Sequence, residues 1–159
     1  MATFEEAFDV VSIKMSVIHF DFLAQMPAKN WNYRKIVEER RDVFFNLPTG
    51  FGKSLLYQEQ SLVFHLTSQE PGHIVVVVSP LISLMDQVSH LKELGLKAAN
   101  ISSLEDGERT RVESGEYSLG YGSTEAWLNE RWRFMLTNSV YSKILCAIAV
   151  DVAHVVRQW

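Results

Sequence analysis

The 159-residue chain has the length of one compact domain, and 47% of its residues are hydrophobic and 21% are charged. This balance is typical of a globular protein and excludes collagen-like, coiled-coil and disordered chains. The net charge of −4 excludes a strongly basic surface that neutralises many phosphates. Any contact with nucleic acid must therefore be local.

Cysteine content and hydropathy bear on the cellular compartment. Cys146 is the single cysteine of the sequence, which excludes a disulfide framework and favours a reducing environment. Apolar runs such as Ile74–Val78 are far shorter than the roughly 20 residues of a membrane-spanning helix. The acidic start of the chain does not resemble a signal peptide. These features predict a cytosolic or nuclear protein.

The predicted elements begin after residues 1–27, an N-terminal extension to which no element is assigned; residues 28–159 are predicted to form one domain. Apolar spacing predicts a helix over residues 29–40 and a strand over residues 43–47. A helix over residues 54–67 follows and is ended by a turn. The continuous run Ile74–Val78 predicts a central parallel strand that is covered on both faces.

The second half of the chain continues the alternation of helices and strands. We predict a helix over residues 81–94 closed by Gly95, a helix over 125–136, and strands over 96–101, 117–121 and 144–150. The polar stretch 102–116 receives no element. Alternation of this kind predicts βαβ units, and hence an α/β fold with a parallel sheet and helices on both faces.

The sharpest local motif is Pro48-Thr49-Gly50-Phe51-Gly52-Lys53-Ser54, between a predicted strand and a predicted helix. Its glycines permit a tight turn whose N–H groups approach phosphate oxygens, and the helix start adds partial positive charge. Lys53 is predicted to reach the β- and γ-phosphates of ATP, and the Ser54 hydroxyl to bind Mg²⁺. Leu47 stands where the general P-loop pattern has glycine.

This motif resembles motif I of superfamily 2 helicases, and its surroundings resemble the RecQ branch. Three further segments resemble the family's motifs in the same order: residues 78–88 resemble motif Ia, residues 121–125 resemble a second strand-end DNA contact, and residues 147–159 resemble motif II and the start of an aromatic-rich loop. The resemblance implies a three-layer, RecA-like P-loop NTPase fold. It also implies that residues 28–159 are the first RecA-like lobe, cut after motif II.

The resemblance assigns roles residue by residue. It implies catalytic roles for Lys53, Asp151 and His154, and a magnesium site at Ser54 and Asp151. It implies nucleotide contacts by Pro48, Thr49, Gly50, Phe51, Gly52, Lys53 and Ser54, with Asn30 in the place of the family's adenine-reading glutamine. It implies DNA contacts by Pro80, Ser83, Gln87, Thr124 and Glu125, through backbone amides and hydroxyl groups that suit an acidic chain.

Departures from the family pattern bear on activity. Val152 stands in place of the motif II glutamate that activates the attacking water, and Thr124 stands where the family commonly has proline. Because a positioned base contributes roughly 10²–10⁴-fold in rate, the chain by itself is expected to hydrolyse ATP poorly.

The resemblance implies an ATP-dependent 3′–5′ DNA helicase of unwinding, repair and recombination. Its expected cofactors are ATP and Mg²⁺, and its expected partners are single-stranded or forked DNA and a second RecA-like lobe, with no membrane. The nucleus is the expected location, or the cytoplasm in a prokaryote. The alternatives are a non-catalytic nucleotide- or DNA-binding remnant, an RNA-directed relative, and a small-molecule kinase. The last is disfavoured because motif Ia and residues 121–125 have no role in a kinase.

Arg131-Trp132-Arg133 combines cations and a ring, as single-strand binding platforms do. Its helical spacing nevertheless favours a core tryptophan flanked by two solvated arginines.

Overall fold

The computed structural model describes residues 35–36, 38–44, 46, 52–67 and 73–151. The chain divides into two compact units, residues 1–71 and residues 72–159. The expected boundary between an N-terminal extension and a domain that starts at residue 28 lies outside the described residues and stays a prediction.

The first unit contains helix α1, Lys53–Thr67, which begins one residue before its predicted start. The hydroxyl of Thr67 donates to the carbonyl oxygen of Val63 at 2.8 Å in the last turn. Phe64 is buried, and the guanidinium of Arg40 lies 4.8 Å from the centroid of its ring. This cation–π contact holds the segment before α1 against the helix.

The helix predicted over residues 29–40 does not reach its predicted end. Helical backbone is present at residues 35–36, and residues 38–39 form a turn. Arg40 has a φ of 52°, the left-handed conformation that commonly terminates helices. The spacing of apolar residues does not reveal this left-handed residue, so the predicted end of the helix was too late.

The strand predicted over residues 43–47 is not formed at Val43, Phe44 and Asn46, its three described residues. The side chain of Phe44 is 80% exposed. A segment is a strand only when its backbone pairs with a neighbour, and β-prone residues do not supply that partner by themselves. The prediction is therefore wrong at these three positions.

The second unit is built on a parallel sheet. In chain order its elements are β1 (Ile74–Val78), α2 (Leu81–Glu93), β2 (Ala98–Asn100), α3 (Asp106–Glu113), β3 (Leu119–Gly122), α4 (Thr124–Leu128), α5 (Glu130–Thr137), α6 (Tyr141–Ile144) and β4 (Leu145–Val150). The strands lie in the order β2-β3-β1-β4, and every pairing is parallel. Strand β1 is therefore flanked on both sides, as its continuous apolar sequence predicts.

The side chains of β1 alternate between the two faces of the sheet. Ile74 and Val76 belong to a buried cluster that includes side chains from α3, α4, α5 and α6. Val75 and Val77 are fully buried on the opposite face. Helix α2 packs on that face, where its Met85 sulfur lies 3.8 Å from the side-chain nitrogen of Asn100 in β2. Helices on both faces of a parallel sheet confirm the predicted α/β architecture.

Helix α3 lies in the polar stretch that was predicted to have no element. Asp106 and Glu108 occupy its first turn, where negative charge is favourable, and Arg111 occupies its last. Val112 is its one buried residue. A single apolar position creates no period, so hydrophobic spacing could not reveal this helix.

The single helix predicted over residues 125–136 is in fact two helices. Asn129 ends α4, and its side-chain oxygen accepts the backbone N–H of Arg131 at 3.1 Å, which caps the start of α5. The short helix α6 was also unpredicted. The strands predicted over residues 96–101, 117–121 and 144–150 are present as β2, β3 and β4, with ends that differ from the predicted ones by at most two residues.

Candidate functional site

The described part of the predicted phosphate-binding motif is a glycine that is followed at once by a helix. Gly52 has a φ of 67°, a conformation that residues with a Cβ rarely adopt, and α1 begins at Lys53. The backbone N–H of Leu55 donates to the carbonyl oxygen of Gly52 at 3.2 Å. The glycine thus allows the backbone to turn directly into the helix.

The start of α1 suits an anion. Lys53 and Ser54 are half-buried in its first turn, which contains no acidic residue. The partial positive charge of a helix N-terminus favours phosphate. Residues 48–51 and Asn30, also predicted to contact the nucleotide, lie outside the described residues.

Asp151 lies directly after β4, where the sequence predicts a magnesium ligand. Its backbone N–H donates to the carbonyl oxygen of Val78 at 2.8 Å, and the residue is half-buried. Within the described residues, no group of three or more His, Cys, Asp or Glu side chains could hold a metal ion. This result is compatible with Mg²⁺, which binds through one or two carboxylates and otherwise uses water and substrate phosphates. Val152 and His154 lie outside the described residues.

Two segments with predicted DNA contacts lie side by side at the carboxyl edge of the sheet. Val78 pairs with Gly122 in the β1–β3 ladder, and the N–H of Ser79 donates to the carbonyl oxygen of Gly122 at 3.1 Å. Pro80 and Thr124 are each the second residue after one of these strand ends, and both are half-buried. Because β4 pairs with the other side of β1, Asp151 follows a strand that ends at the same edge.

The remaining predicted DNA contacts are spread over two helices. Ser83 lies in the first turn of α2, and Gln87 lies about one turn further along. Glu125 is exposed in the first turn of α4. The fold thus gathers Pro80, Thr124 and Asp151 at one edge of the second unit, whereas Lys53 and Ser54 belong to the first unit.

The structure also shows residues at this edge that motif matching missed. Ser123 is buried, and its hydroxyl accepts the N–H of Ala126 at 3.2 Å, so it caps α4. The indole N–H of Trp127 donates to the carbonyl oxygen of Val77 at 3.1 Å. The glycines at positions 120 and 122 were the available signal, because glycine in a strand marks a close approach by another group.

The tryptophan between two arginines is a core residue, as its spacing predicts. Trp132 is buried, and both Arg131 and Arg133 are exposed. The Arg131 guanidinium lies 5.8 Å from the centroid of the Trp132 ring and forms an ion pair with Glu113. The triplet therefore presents no open aromatic platform.

Comparison with known proteins identifies the family. The family model for the DEAD/DEAH box helicase matches residues 31–159, which is most of the chain. The chain belongs to the DEAD/DEAH box helicase family. Membership accounts for the parallel sheet, which is that of the family's RecA-like P-loop fold.

The curated relatives of this helicase-family chain are RecQ-type proteins. It is 35% identical to the ATP-dependent DNA helicase RecQ of Bacillus subtilis, over 79% of this chain and 20% of the relative. It is 34% identical to the ATP-dependent helicase wrn-1 of Caenorhabditis elegans, over 82% of this chain and 12% of the relative. It is 37% identical to the ATP-dependent helicase SGS1 of Saccharomyces cerevisiae, over 75% of this chain and 8% of the relative.

The chain thus spans a fifth or less of the length of these relatives. Among the described residues, no helix is both long enough and apolar enough to cross a membrane.

Proposed function

We propose that this chain is the ATP-binding lobe of a RecQ-like, ATP-dependent 3′–5′ DNA helicase. The observation that carries the proposal is the turn at Gly52 into a helix that begins with Lys53 and Ser54, in a chain of the DEAD/DEAH box helicase family. The curated relatives are named as ATP-dependent helicases. DNA unwinding, and its use in repair and recombination, are proposed as activities of a longer protein that contains such a lobe.

In this proposal the nucleotide phosphates lie against the amides that lead into α1. Lys53 contributes a compact positive charge to the β- and γ-phosphates, and Pro48, Thr49, Gly50 and Phe51 are the further proposed nucleotide contacts. Ser54 and Asp151 are the residues that would hold Mg²⁺, and His154 would link the nucleotide state to bound DNA. Bound Mg²⁺ would supply positive charge to the phosphates. Asn30 contacts the base.

Hydrolysis by the isolated chain is expected to be slow. Val152 has no group that could orient or activate the attacking water, and a missing general base costs roughly 10²–10⁴-fold in rate. A second RecA-like lobe that supplies an arginine finger is worth roughly 10³–10⁵ in turnover. The expected behaviour of the chain alone is therefore binding of Mg–ATP without efficient turnover.

The DNA partner is proposed to be single-stranded or forked DNA at the carboxyl edge of the sheet. Pro80, Ser83 and Gln87 form one side of this contact, and Thr124 and Glu125 form the other. Backbone N–H groups and hydroxyls bind phosphate without net positive charge, which agrees with the chain's net charge of −4. The proposed location is the nucleus, or the cytoplasm if the source is prokaryotic.

Isothermal titration calorimetry with ATP and MgCl₂ tests the nucleotide site. Lys53→Ala is expected to weaken ATP affinity by about tenfold or more, since hydrogen bonds to charged groups are the strong ones. Lys97→Ala is the matched control, because Lys97 is exposed and precedes β2. Binding heat that is absent in the wild-type chain, or unchanged in Lys53→Ala, would contradict the proposal.

A second candidate is a non-catalytic nucleotide- or DNA-binding remnant, which Val152 favours. Val152→Glu in the chain extended by a second RecA-like lobe separates the two. Recovered hydrolysis supports the helicase lineage, and no recovery supports the remnant. Competition between single-stranded DNA, duplex DNA and RNA for the same chain tests an RNA-directed function.

A further inference from the structure

Trp127 has an unusual position for an aromatic residue of a short surface helix. It lies in α4, three residues after Thr124, yet only 6% of its side chain is exposed. Its indole N–H reaches across to the carbonyl oxygen of Val77 in β1 at 3.1 Å. Trp127, which follows the end of β3, is thus hydrogen-bonded to the end of the neighbouring strand β1.

Two glycines of β3 make room for the indole. A Cβ at Gly120 would lie 3.3 Å from Cη2 of Trp127. A Cβ at Gly122 would lie 2.7 Å from Nε1 of Trp127 and 2.6 Å from Cγ1 of Ile101. Side chains at these positions would displace the ring, so the large residue and the two small ones form a complementary set.

The same indole therefore connects three strand ends. It packs on β3 at Gly120 and Gly122, bonds to β1 at Val77, and lies in the cluster that contains Ile101, which follows β2. This arrangement limits how far the turn between β3 and α4 can move relative to β1. That turn carries Thr124 at one side of the proposed DNA contact.

We propose that Trp127 is a positioning residue for nucleic-acid binding: it holds the turn at Ser123–Glu125 in register with the turn after β1, so that both reach the same DNA backbone. The inference rests on the proposed function, because it takes the carboxyl edge of the sheet as the DNA site. When the turn is held in place, more of the molecules have both contact segments in the position that binds DNA. The apparent affinity for DNA rises in proportion to this fraction of molecules.

Trp127→Phe tests this role, because phenylalanine fills much of the same space but cannot donate to Val77. Trp132→Phe is the matched control. Its indole is also buried and lies edge-on to Trp127, with ring centroids 6.4 Å apart, so the substitution removes ring atoms from the same cluster and leaves the Val77 bond in place. Melting curves of both variants establish that they fold and show how much stability each loses.

The probe is a fluorescein-labelled oligothymidylate of about 15 nucleotides, titrated with the full chain in an anisotropy assay. Trp127→Phe is expected to bind about three- to tenfold more weakly than wild type, and Trp132→Phe within about twofold.

The outcomes separate the inference from the proposed function. If wild-type chain binds ATP but no oligonucleotide, the DNA part of the proposed function fails and the role of Trp127 fails with it. If wild type binds the oligonucleotide and the two variants lose affinity equally in proportion to their stability, the DNA site stands and the positioning role is overturned. Selective loss in Trp127→Phe supports it.

Discussion

The close packing around Gly122 predicts a large penalty for the smallest possible substitution, Gly122→Ala. The new Cβ would lie 2.6 Å from Cγ1 of Ile101 and 2.7 Å from Nε1 of Trp127. Neither atom moves easily, because one is near its own backbone and the other belongs to a rigid ring. Overpacking of this kind costs about 1–3 kcal/mol. For a chain of this size the melting temperature should fall by about 3–9 °C.

Gly107→Ala is the matched control, because Gly107 lies in the exposed start of α3 and a Cβ there would meet no atom within 4 Å. It should be neutral or stabilise by about 0.5 kcal/mol, since alanine loses less backbone entropy than glycine. Melting curves followed by circular dichroism, together with urea unfolding, measure both variants. Equal melting temperatures for Gly122→Ala and Gly107→Ala would refute the steric reasoning.

A double-mutant cycle tests the identity of the obstructing group. Trp127→Phe withdraws the nitrogen that the new Cβ would meet at 2.7 Å. The combined loss for Gly122→Ala with Trp127→Phe should therefore be smaller than the sum of the single losses, by about 0.5 kcal/mol or more. Strict additivity would show that the indole is not what resists the substitution.

Three further predictions concern backbone conformation, pH and helix capping. Gly95→Ala should destabilise the chain by about 1 kcal/mol in urea unfolding, because Gly95 has a φ of 77° and a Cβ there meets no neighbouring atom, so only backbone strain is added. Burial, reinforced by the negative charge of Glu113, raises the pKa of Tyr141 above its ordinary value near 10. Stability from Tyr141 is therefore complete below about pH 10 and is lost as the pH rises further, and Tyr141→Phe should flatten that alkaline loss in pH-dependent melting. Asn129→Ala should cost about 0.5–2 kcal/mol through the lost cap of α5, and Asn129→Ser should restore most of it.

The fold class followed from sequence because its signals are local and strong. The uninterrupted valines of β1 need cover on both faces, and that requirement alone implies an interior parallel strand. The predictions that were wrong concern elements whose signals in the sequence are weak or not local. Val43 and Phe44 have strand-forming side chains without strand pairing, and α3 is a helix with one buried residue. Hydrophobic spacing does not show which strands will pair or which residues will cap a helix.

The candidate site was predictable to the same extent. The motif predicted a glycine turn into a helix at Gly52 and Lys53, which the structure contains, because this geometry is set by a few adjacent residues. Phosphate binding at this turn stays a prediction. The contact between Trp127 and Val77 was invisible, since it joins residues 50 apart in sequence through a side chain that no motif includes. Motif reading names the groups that touch a ligand, and it omits the groups that hold them in place.

The end of β1 is hydrogen-bonded to two segments of the second unit that carry predicted site residues. The carbonyl oxygen of Val77 accepts the Trp127 indole, and the carbonyl oxygen of Val78 accepts the N–H of Asp151 at 2.8 Å. These acceptors belong to successive peptide groups of one buried strand, which cannot bend independently without breaking ladder hydrogen bonds. The helix that begins at Thr124 and the backbone of Asp151 are therefore both hydrogen-bonded to the same short piece of β1. The proposed DNA contact and the proposed magnesium ligand thus both follow segments that are hydrogen-bonded to the last two residues of β1.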